Sequence, residues 1–219
     1  MAKVIIFGVG QIAELAHFYL TNDSEHDVIA FTVDKEFLES DEFHGLPVVA
    51  YESITKDYPP NEYKLFIPIS YKKVNKLRAE KFYDAKLKGY ECVSYISSKA
   101  MYYNTQVGEN CFIFESNVIQ PCVTIGDNCI IWSGNHIGHH TTIEDHCFLA
   151  SHVVISGGVN VGEYSFLGVN ATIRDNVNIG KRNVIGAGAV ILSNTDDESV
   201  YSPKESEKLK VPSNKLRGF

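Results

Sequence analysis

The stretch that decides the fold begins Val107-Gly-Glu-Asn-Cys-Phe-Ile113 and ends Ile185-Gly-Ala-Gly-Ala-Val-Ile191. From its first residue to its last, an Ile, Leu or Val returns at every sixth position, fifteen times in succession. Chance at ordinary composition would fill about a quarter of such positions with these residues. A small or slim residue follows each of them by four positions, as at Cys111, Val123 and Ala171. The stretch therefore has a strict six-residue period.

A period of six fits neither an α-helix nor a simple strand pair, and it is typical of a parallel β-solenoid with a triangular cross-section. Each hexad forms one face, and three hexads complete a coil. Residues 18 positions apart then stack at the strand spacing of about 4.8 Å. The fifteen hexads predict about five coils with the aliphatic side chains inside, in preference to a β-sandwich. The period does not set the hand, although the general rule for parallel crossovers favours a right-handed path.

Composition narrows the range of functions. The chain has 219 residues, enough for two small domains, and a net charge of -7. No Lys/Arg-rich run is present, so nucleic acid and anionic membranes are unfavourable partners. The chain starts Met-Ala-Lys and contains no long apolar span, so we predict a cytoplasmic protein. Cys111, Cys129 and Cys147 are spaced by 18, which predicts a column of buried thiols rather than a disulfide or zinc site.

Residues 1–96 predict a small α/β domain. A strand over 3–7 leads through the turn Gly8-Val-Gly10-Gln11 into a helix over 12–20, and a second strand over 27–33 ends in Asp34-Lys35. In such a unit the helix N-terminus faces phosphate, and the acid reaches a ribose hydroxyl. The full dinucleotide fingerprint is absent, which favours a nucleotide mono- or diphosphate over NAD. An empty tight turn and a solvated strand end are the alternatives.

The rest of this domain predicts a connection over 43–57, a third strand over 63–69, a helix over 72–88 and a fourth strand over 92–96. Ser70 follows the third strand, where it is either a ligand contact or a helix N-cap. We predict a linker over 97–104, the β-helix over 105–195 and an exposed tail over 196–219.

Several motifs resemble a known family. The hexads that start at Ile125, Ile179 and Ile185 resemble the hexapeptide acyltransferases, whose β-helix is left-handed. The run Gly138-His-His, with Ser156-Gly-Gly-Val and Leu167-Gly-Val-Asn-Ala, is similar to the NeuD/PglD-type sugar acetyltransferases over nearly the whole chain. The resemblance implies a homotrimer with a Rossmann-like nucleotide-sugar domain and a left-handed β-helix that takes acetyl-CoA, without a metal.

The chemistry of acyl transfer directs attention to His139 and Gly157. Transfer to an amine needs a base for its proton and a hydrogen-bond donor for the oxyanion. These two residues are 18 apart, so they are predicted to stack in neighbouring coils. The resemblance assigns His139 as the base and the Gly157 N–H as the donor, with His140 in place of the usual acid. It also places Gly157, Val169 and Ala187 along the acetyl-CoA groove.

The acceptor implied by the resemblance is a dTDP-, UDP- or GDP-linked amino sugar. Candidate contacts follow from the glycine turn, the strand ends and one exposed aromatic position: Gly8, Gly10, Gln11, Asp34, Lys35, Ser70 and Trp132. Members of the family that the chain resembles usually have Gly-His-Ala where this chain has Gln11-Ile12-Ala13. Trp132 is either a wall of the acceptor pocket or an anchor of the subunit interface.

Three other functions stay open: sugar O-acetylation, a non-catalytic nucleotide-sugar-binding trimer, and a zinc enzyme like the γ-carbonic anhydrases. His140, His146 and His152 share one hexad position, so they are predicted at three different corners of one coil and cannot join on a metal within a subunit. For His136, His146 and His152 we expect solvated or interface roles. Asn117 and Asn135 are expected to form an internal ladder.

Overall fold

The structure is a computed structural model that describes residues 1–208 and 210–215. Within the predicted tail, Leu209 and residues 216–219 lie outside the described residues. The described chain consists of an α/β domain followed by a triangular parallel β-helix.

The α/β domain contains a five-stranded sheet in the order β3-β4-β2-β1-β5. All neighbouring strands are parallel except the β3–β4 hairpin. Its elements are β1 (Lys3–Phe7), α1 (Gln11–Asn22), β2 (Asp27–Val33), β3 (Glu42–Phe43), β4 (Leu46–Ala50), α2 (Ile54–Asp57), β5 (Tyr63–Phe66) and α3 (Lys76–Leu87). Strand β1 is apolar on both sides because Val4 and Ile6 pack towards α1 while Ile5 packs towards α3.

Three local predictions for this domain were inaccurate. The expected connection over 43–57 contains strand β4 and part of the hairpin, which turns at His44 and Gly45 with positive φ. Helix α3 starts at Lys76 instead of residue 72, because the three preceding residues also have positive φ and cannot continue a helix. The fourth strand, predicted over 92–96, does not start at Cys92, which makes only an isolated bridge with Leu65.

The β-helix is built from two-residue strands on three faces. Face 1 holds β6 (Tyr95–Ile96), β9 (Phe112–Ile113), β12 (Ile130–Ile131), β15 (Phe148–Leu149), β18 (Phe166–Leu167), β21 (Val184–Ile185) and β23 (Val200–Tyr201). Face 2 holds β7 (Met101–Tyr102), β10 (Val118–Ile119), β13 (His136–Ile137), β16 (Val154–Ile155), β19 (Thr172–Ile173) and β22 (Val190–Ile191). Face 3 holds β8 (Gln106–Val107), β11 (Thr124–Ile125), β14 (Thr142–Ile143), β17 (Asn160–Val161) and β20 (Asn178–Ile179).

The corners take their names from the faces they join. Corner 1–2 includes residues 132–135, 150–153, 168–171 and 186–189; corner 2–3 includes 120–123, 138–141, 156–159 and 174–177; corner 3–1 includes 108–111, 126–129, 144–147, 162–165 and 180–183. At every hexad from Asn110 to Gly188 the third residue after the inward aliphatic one has positive φ. Asn, His and Gly recur at these positions because they tolerate that conformation better than other residues.

The β-helix extends beyond the predicted boundaries. Strands β6 and β7 pair with β9 and β10, although residues 97–104 were expected to be a linker and 1–96 to end the first domain. Tyr102 and Val107 are five residues apart instead of six, so the periodicity breaks there. Strand β23 likewise pairs with β21 within the predicted tail. The chain reaches it through a shortened corner, where the Thr195 hydroxyl accepts a hydrogen bond from Gly180 N.

The interior of the β-helix matches the sequence pattern. Its aliphatic residues form one buried core. Cys111, Cys129 and Cys147 are free and buried, and their thiols donate to corner carbonyl oxygens of the next coil. Asn135 Nδ2 donates to Asn117 Oδ1 over 2.9 Å, which confirms the ladder.

The two domains share a second core, in which α1 and the sheet pack on the outer side of face 1. A fully buried arginine, Arg78 of α3, extends from the α/β domain to corner 3–1. Its guanidinium donates to the carbonyl oxygens of Asn128, His146 and Cys147 at the corner and of Ile69 and Ser70 in its own domain. The α/β domain is thus fixed against face 1.

Candidate active site

The predicted base and donor lie next to each other at corner 2–3. A Cβ atom built on Gly157 would lie 2.6 Å from Cε1 and 2.7 Å from Nε2 of His139. The imidazole therefore covers the backbone of residue 157, and only glycine leaves room for it. On the other side, Gln120 Oε1 accepts a hydrogen bond from the His139 backbone N–H over 2.9 Å. This close stacking is what the 18-residue spacing predicts.

His139 and His140 contact each other through their rings. The two Nδ1 atoms are 3.1 Å apart, and the ring planes are nearly perpendicular at 85°. Both side chains are exposed. His140 has a φ of 58°, so it turns the corner while its ring returns to His139. The nitrogen left free for chemistry on His139 is Nε2.

The backbone N–H groups of the three predicted coenzyme contacts are available as donors, as are those at the equivalent positions Ser133 and Ser151. Among the hydrogen bonds of the described residues, the N–H groups of Gly157, Val169 and Ala187 have no acceptor. The equivalent N–H groups of Glu109, Asp127 and Glu163 at corner 3–1 are each bonded to a carboxylate. The three predicted coenzyme contacts therefore share a feature that a ligand can use.

An aromatic cleft of about 340 Å³ opens between the α/β domain and corner 1–2. Ser70 and Tyr71 form its α/β side, and Trp132, Val169 and Ala187 lie among the β-helix residues that line it. The Tyr71 ring is 5.0 Å from the rings of both Phe148 and Phe166. Trp132 stacks on Phe114 at 4.6 Å, and its buried indole N–H has no partner among the described residues.

The glycine turn and the acid lie at the carboxyl edge of the α/β sheet. Gly8 has a φ of 108°, which suits glycine alone, and Gly10 is the N-cap of α1, followed by Gln11. Asp34 directly follows β2, but its carboxylate is paired with Lys81 of α3. The backbone N–H of Lys35 donates to the Glu52 carboxylate. A ribose hydroxyl at Asp34 would therefore share this carboxylate with Lys81.

Within one chain, the predicted site residues lie in three separate places. Ser70, Trp132, Val169 and Ala187 meet in the cleft. His139, His140 and Gly157 lie at corner 2–3, on the far side of face 2. Gly8, Gly10, Gln11, Asp34 and Lys35 occupy the sheet edge. Base and cleft are not brought together within one chain.

Of the two roles expected for His146, solvated or interface, the structure shows an interface, here between the two domains of the chain. His146 is 1% exposed and lies between the domains instead of in solvent. Its Nδ1 is 2.9 Å from Asn128 Nδ2 and its Nε2 is 2.8 Å from the Tyr83 hydroxyl. The amide nitrogen Nδ2 of Asn128 can only donate, so His146 Nδ1 is bare and Nε2–H donates to the Tyr83 hydroxyl. Burial, opposed by Asp145, lowers the pKa of His146 to about 4.

The three successive corner histidines lie at three corners, as their spacing predicts. Each of them has positive φ, so the histidine cluster partly reflects the backbone demand of the corners. Within the described residues, no group of three His, Cys, Asp or Glu side chains could hold a metal ion. In the same part of the chain, no helix has both the length and the apolar character to cross a membrane.

Sequence reasoning missed several residues around the site. Gln120 was overlooked because it lies 19 positions before His139; counting back one coil from the histidine would have found this corner. The aromatic residues of the cleft, Tyr71, Phe148 and Phe166, were also missed. The hexad pattern indicates only that the two phenylalanines face outward, and not what they face. Arg78 and Asn75 carried no signal, because nothing in a sequence indicates a buried guanidinium.

Known proteins show the same repeat and the same two-domain architecture. The family described as bacterial transferase hexapeptide (six repeats) matches residues 104–139 and 158–193. A search of curated proteins found no match. A His-to-Asn variant of perosamine N-acetyltransferase from Caulobacter crescentus, in complex with CoA and GDP-perosamine, is 25% identical with a TM-score of 0.80, covering 91% of this chain and 93% of that one.

Two more solved structures are similar. PerB from Caulobacter crescentus, with CoA and GDP-perosamine, is 26% identical with a TM-score of 0.78, over 91% of this chain and 93% of that one. The acetyltransferase domain of PglB from Neisseria gonorrhoeae is 19% identical with a TM-score of 0.78, over 91% and 96% respectively. The β-helix is left-handed, as the resemblance implied and against the general crossover rule. The chain thus carries the hexapeptide repeat of this family over residues 104–139 and 158–193 and has the two-domain fold of these acetyltransferases.

Proposed function

We propose that the protein is an acetyl-CoA-dependent N-acetyltransferase acting on the amino group of a nucleotide-linked amino-deoxy sugar. The observation that carries the proposal is the stacking of His139 on Gly157, whose N–H has no acceptor among the described residues. A general base and an oxyanion donor in neighbouring coils are what acyl transfer from a thioester to an amine needs.

The step is a direct transfer. His139 Nε2 takes a proton from the sugar amine while the amine nitrogen attacks the thioester carbonyl carbon. The Gly157 N–H donates to the carbonyl oxygen as negative charge develops on it. The C–N bond forms, the C–S bond breaks, and His139 returns the proton to the departing sulfur. His140 lies beside the base, and His139 Nδ1–H can donate to its ring when His139 Nε2 is bare.

The donor groove supports a trimer. Gly157 lies at corner 2–3, whereas Val169 and Ala187 lie at corner 1–2, so one coenzyme can meet all three N–H groups only between two chains. Face 2 connects these corners, and its outward residues include Val154 at 41% and Val190 at 61% exposure. Face 3 presents polar residues instead, among them Thr124, Asn160 and Asn178. An apolar exposed face of this kind favours association with other copies.

The sheet edge and the cleft support a nucleotide-linked sugar as the acceptor. The α1 N-terminus with Gly8 and Gly10 suits a diphosphate, and Ser70 connects this edge to the cleft that Trp132 lines. The similar perosamine N-acetyltransferase was crystallised with GDP-perosamine, a nucleotide-linked sugar. dTDP-, UDP- and GDP-linked amino sugars are therefore the acceptors to test, and a cytoplasmic location is part of the proposal.

The test is mass spectrometry of reactions with acetyl-CoA and a panel of nucleotide-linked 3-amino and 4-amino sugars. We expect one panel member to gain a single acetyl group, and the His139→Asn variant to lose turnover while it still binds CoA. Turnover retained in this variant would exclude His139 as the base. Bound CoA without any N-acetylated product would favour a hydroxyl acceptor. Loss of both binding and product would leave a non-catalytic protein.

A further inference from the structure

The contact between His139 and His140 involves two nitrogens that can each be donor or acceptor. Their Nδ1 atoms are 3.1 Å apart, a distance that requires a proton on one of them and a lone pair on the other. In one arrangement His139 Nδ1–H donates to His140, and His139 Nε2 is a free base. In the other, His140 donates, and the proton of neutral His139 resides on Nε2. The second arrangement cannot accept the amine proton.

The surroundings do not distinguish between these arrangements. Among the hydrogen bonds of the described residues, neither ring has a partner besides the other ring. The coil above contributes Gly157 and Gly158, which have no side chains. In the coil below, Gln120 is bonded to a backbone N–H, and Cys122 occupies the position equivalent to His140. Within the part of the chain that the structure describes, no carboxylate is bonded to either ring to fix the tautomer, as one is in a catalytic triad.

We propose that His140 is a positioning residue that divides His139 between two tautomers, only one of which is competent as the base. This rests on the proposed function in taking His139 as the base. The reaction then proceeds through the competent fraction of the enzyme. An acceptor-only side chain at position 140 would place all of His139 in the competent form, so it would raise the rate.

Position 140 permits a clean substitution. Its φ of 58° is close to the values of 54–58° at Asn110, Asn128, Asn170 and Asn176, so Asp and Asn fit this backbone. Oδ1 of Asp or Asn is separated from Cα by the same number of bonds as Nδ1 of His. A carboxylate can only accept, whereas an amide can also donate to His139 Nδ1. His140→Asp is therefore the test variant and His140→Asn its matched control.

The first measurement is nuclear magnetic resonance of the protein with ¹⁵N-labelled histidine rings, with the His139 signals assigned through His139→Asn. In the wild-type protein we expect both His139 nitrogens at shifts averaged between protonated and bare. In His140→Asp we expect Nδ1 protonated and Nε2 bare, while His140→Asn stays averaged. A wild-type His139 with a single, Nδ1-protonated tautomer would overturn the proposal, as would an unchanged spectrum in His140→Asp.

The second measurement is single-turnover acetyl transfer by the same three proteins. His140→Asp should be roughly 2- to 10-fold faster than wild type, from the larger competent fraction and the anionic acceptor. His140→Asn should show no such gain. A folded His140→Asp with a locked tautomer and no gain would overturn the proposal. If no acceptor is acetylated, or His139→Asn keeps its turnover, the proposed function fails, and the ring spectra still decide the tautomer question.

Discussion

At the scale of single residues, the contact between Gly157 and His139 offers a direct test of the site. In Gly157→Ala, the new methyl group would meet the imidazole at 2.6–2.7 Å, so the ring must move. We expect kcat to fall about 100-fold, because a displacement near 1 Å costs that much in catalysis. The melting temperature should be nearly unchanged, since the φ of residue 157 is not in the left-handed region.

A double-mutant cycle provides the control for this prediction. If the methyl group acts by displacing the imidazole, Gly157→Ala should cost much less in a His139→Ala background. Equal losses in both backgrounds would mean that the N–H of residue 157, and not the ring position, has been disturbed.

His146 predicts a pH dependence of stability. Burial lowers its pKa from 6.5 to about 4 in the folded protein, so the unfolded chain binds the proton more readily. The contribution of neutral His146 to the free energy of unfolding is complete above pH 6.5. It is lost as the pH falls towards 4, and the loss is at most about 3 kcal/mol. Urea unfolding at several pH values measures this.

His146→Asn is the matched variant for that measurement. Asn suits the positive φ of this corner and can accept from Asn128, as Asn128 itself accepts from Asn110 in the coil below. Its unfolding free energy should depend less on pH than that of the wild type between pH 6.5 and 4. Identical pH profiles for the two proteins would mean that His146 is not the group responsible.

At the scale of elements, α3 is fastened to the β-helix by one buried cation. Among the described residues Arg78 has no carboxylate partner; its guanidinium donates to five carbonyl oxygens and to the Asn75 side chain. Burial lowers its pKa to about 10, so it stays charged at neutral pH. Asn75 also donates to the carbonyl oxygens of Tyr164 and Ser165. The turn that carries Ser70 and Tyr71 to the cleft is held through these bonds.

Replacing Arg78 should therefore affect both stability and acceptor binding. In Arg78→Met the carbonyl oxygens lose their donor, and we expect a loss of roughly 2–4 kcal/mol in unfolding free energy. The KM for the sugar nucleotide should rise more than the KM for acetyl-CoA, since the turn lies on the acceptor side. Lys76→Ala, an exposed change on the same helix, is the control. Equal effects of the two changes would contradict this role.

The accuracy with which the sequence predicts the structure differs from element to element. The hexads between Val107 and Ile191 were placed correctly, because each turn of the β-helix demands the same inward residue. Strands β6, β7 and β23 were not predicted as part of the β-helix, because deletions in the neighbouring corners shift the six-residue period. Strand β4 was not predicted, because Leu46–Ala50 includes a proline and lacks a clear alternation of apolar and polar residues. At the site, stacking of His139 on Gly157 followed from the spacing, whereas the cleft depends on how two domains pack.

At the scale of the whole molecule, the proposed function takes the two parts of the site from neighbouring chains. Val154→Lys with Val190→Lys would place two cations on the apolar face 2. We expect the assembly of three 24.4 kDa chains to dissociate, and turnover to be lost with it. Thr124→Lys with Thr142→Lys makes the same charge change on face 3 and should leave both unaffected. Light scattering after gel filtration gives the mass; a wild-type monomer with full activity would exclude the shared site.

The column of buried thiols has a practical consequence for labelling. Burial raises the pKa of the Cys111 and Cys129 thiols far above the usual value, and raises that of Cys92 to about 12, so these groups react slowly. Cys147 is buried with them, whereas Cys122 is exposed on the corner that carries His139. A maleimide dye should therefore attach to one position per native chain. A fluorophore at Cys122 would report arrivals at this corner, and Cys122→Ser would free a thiol-detecting assay from its background.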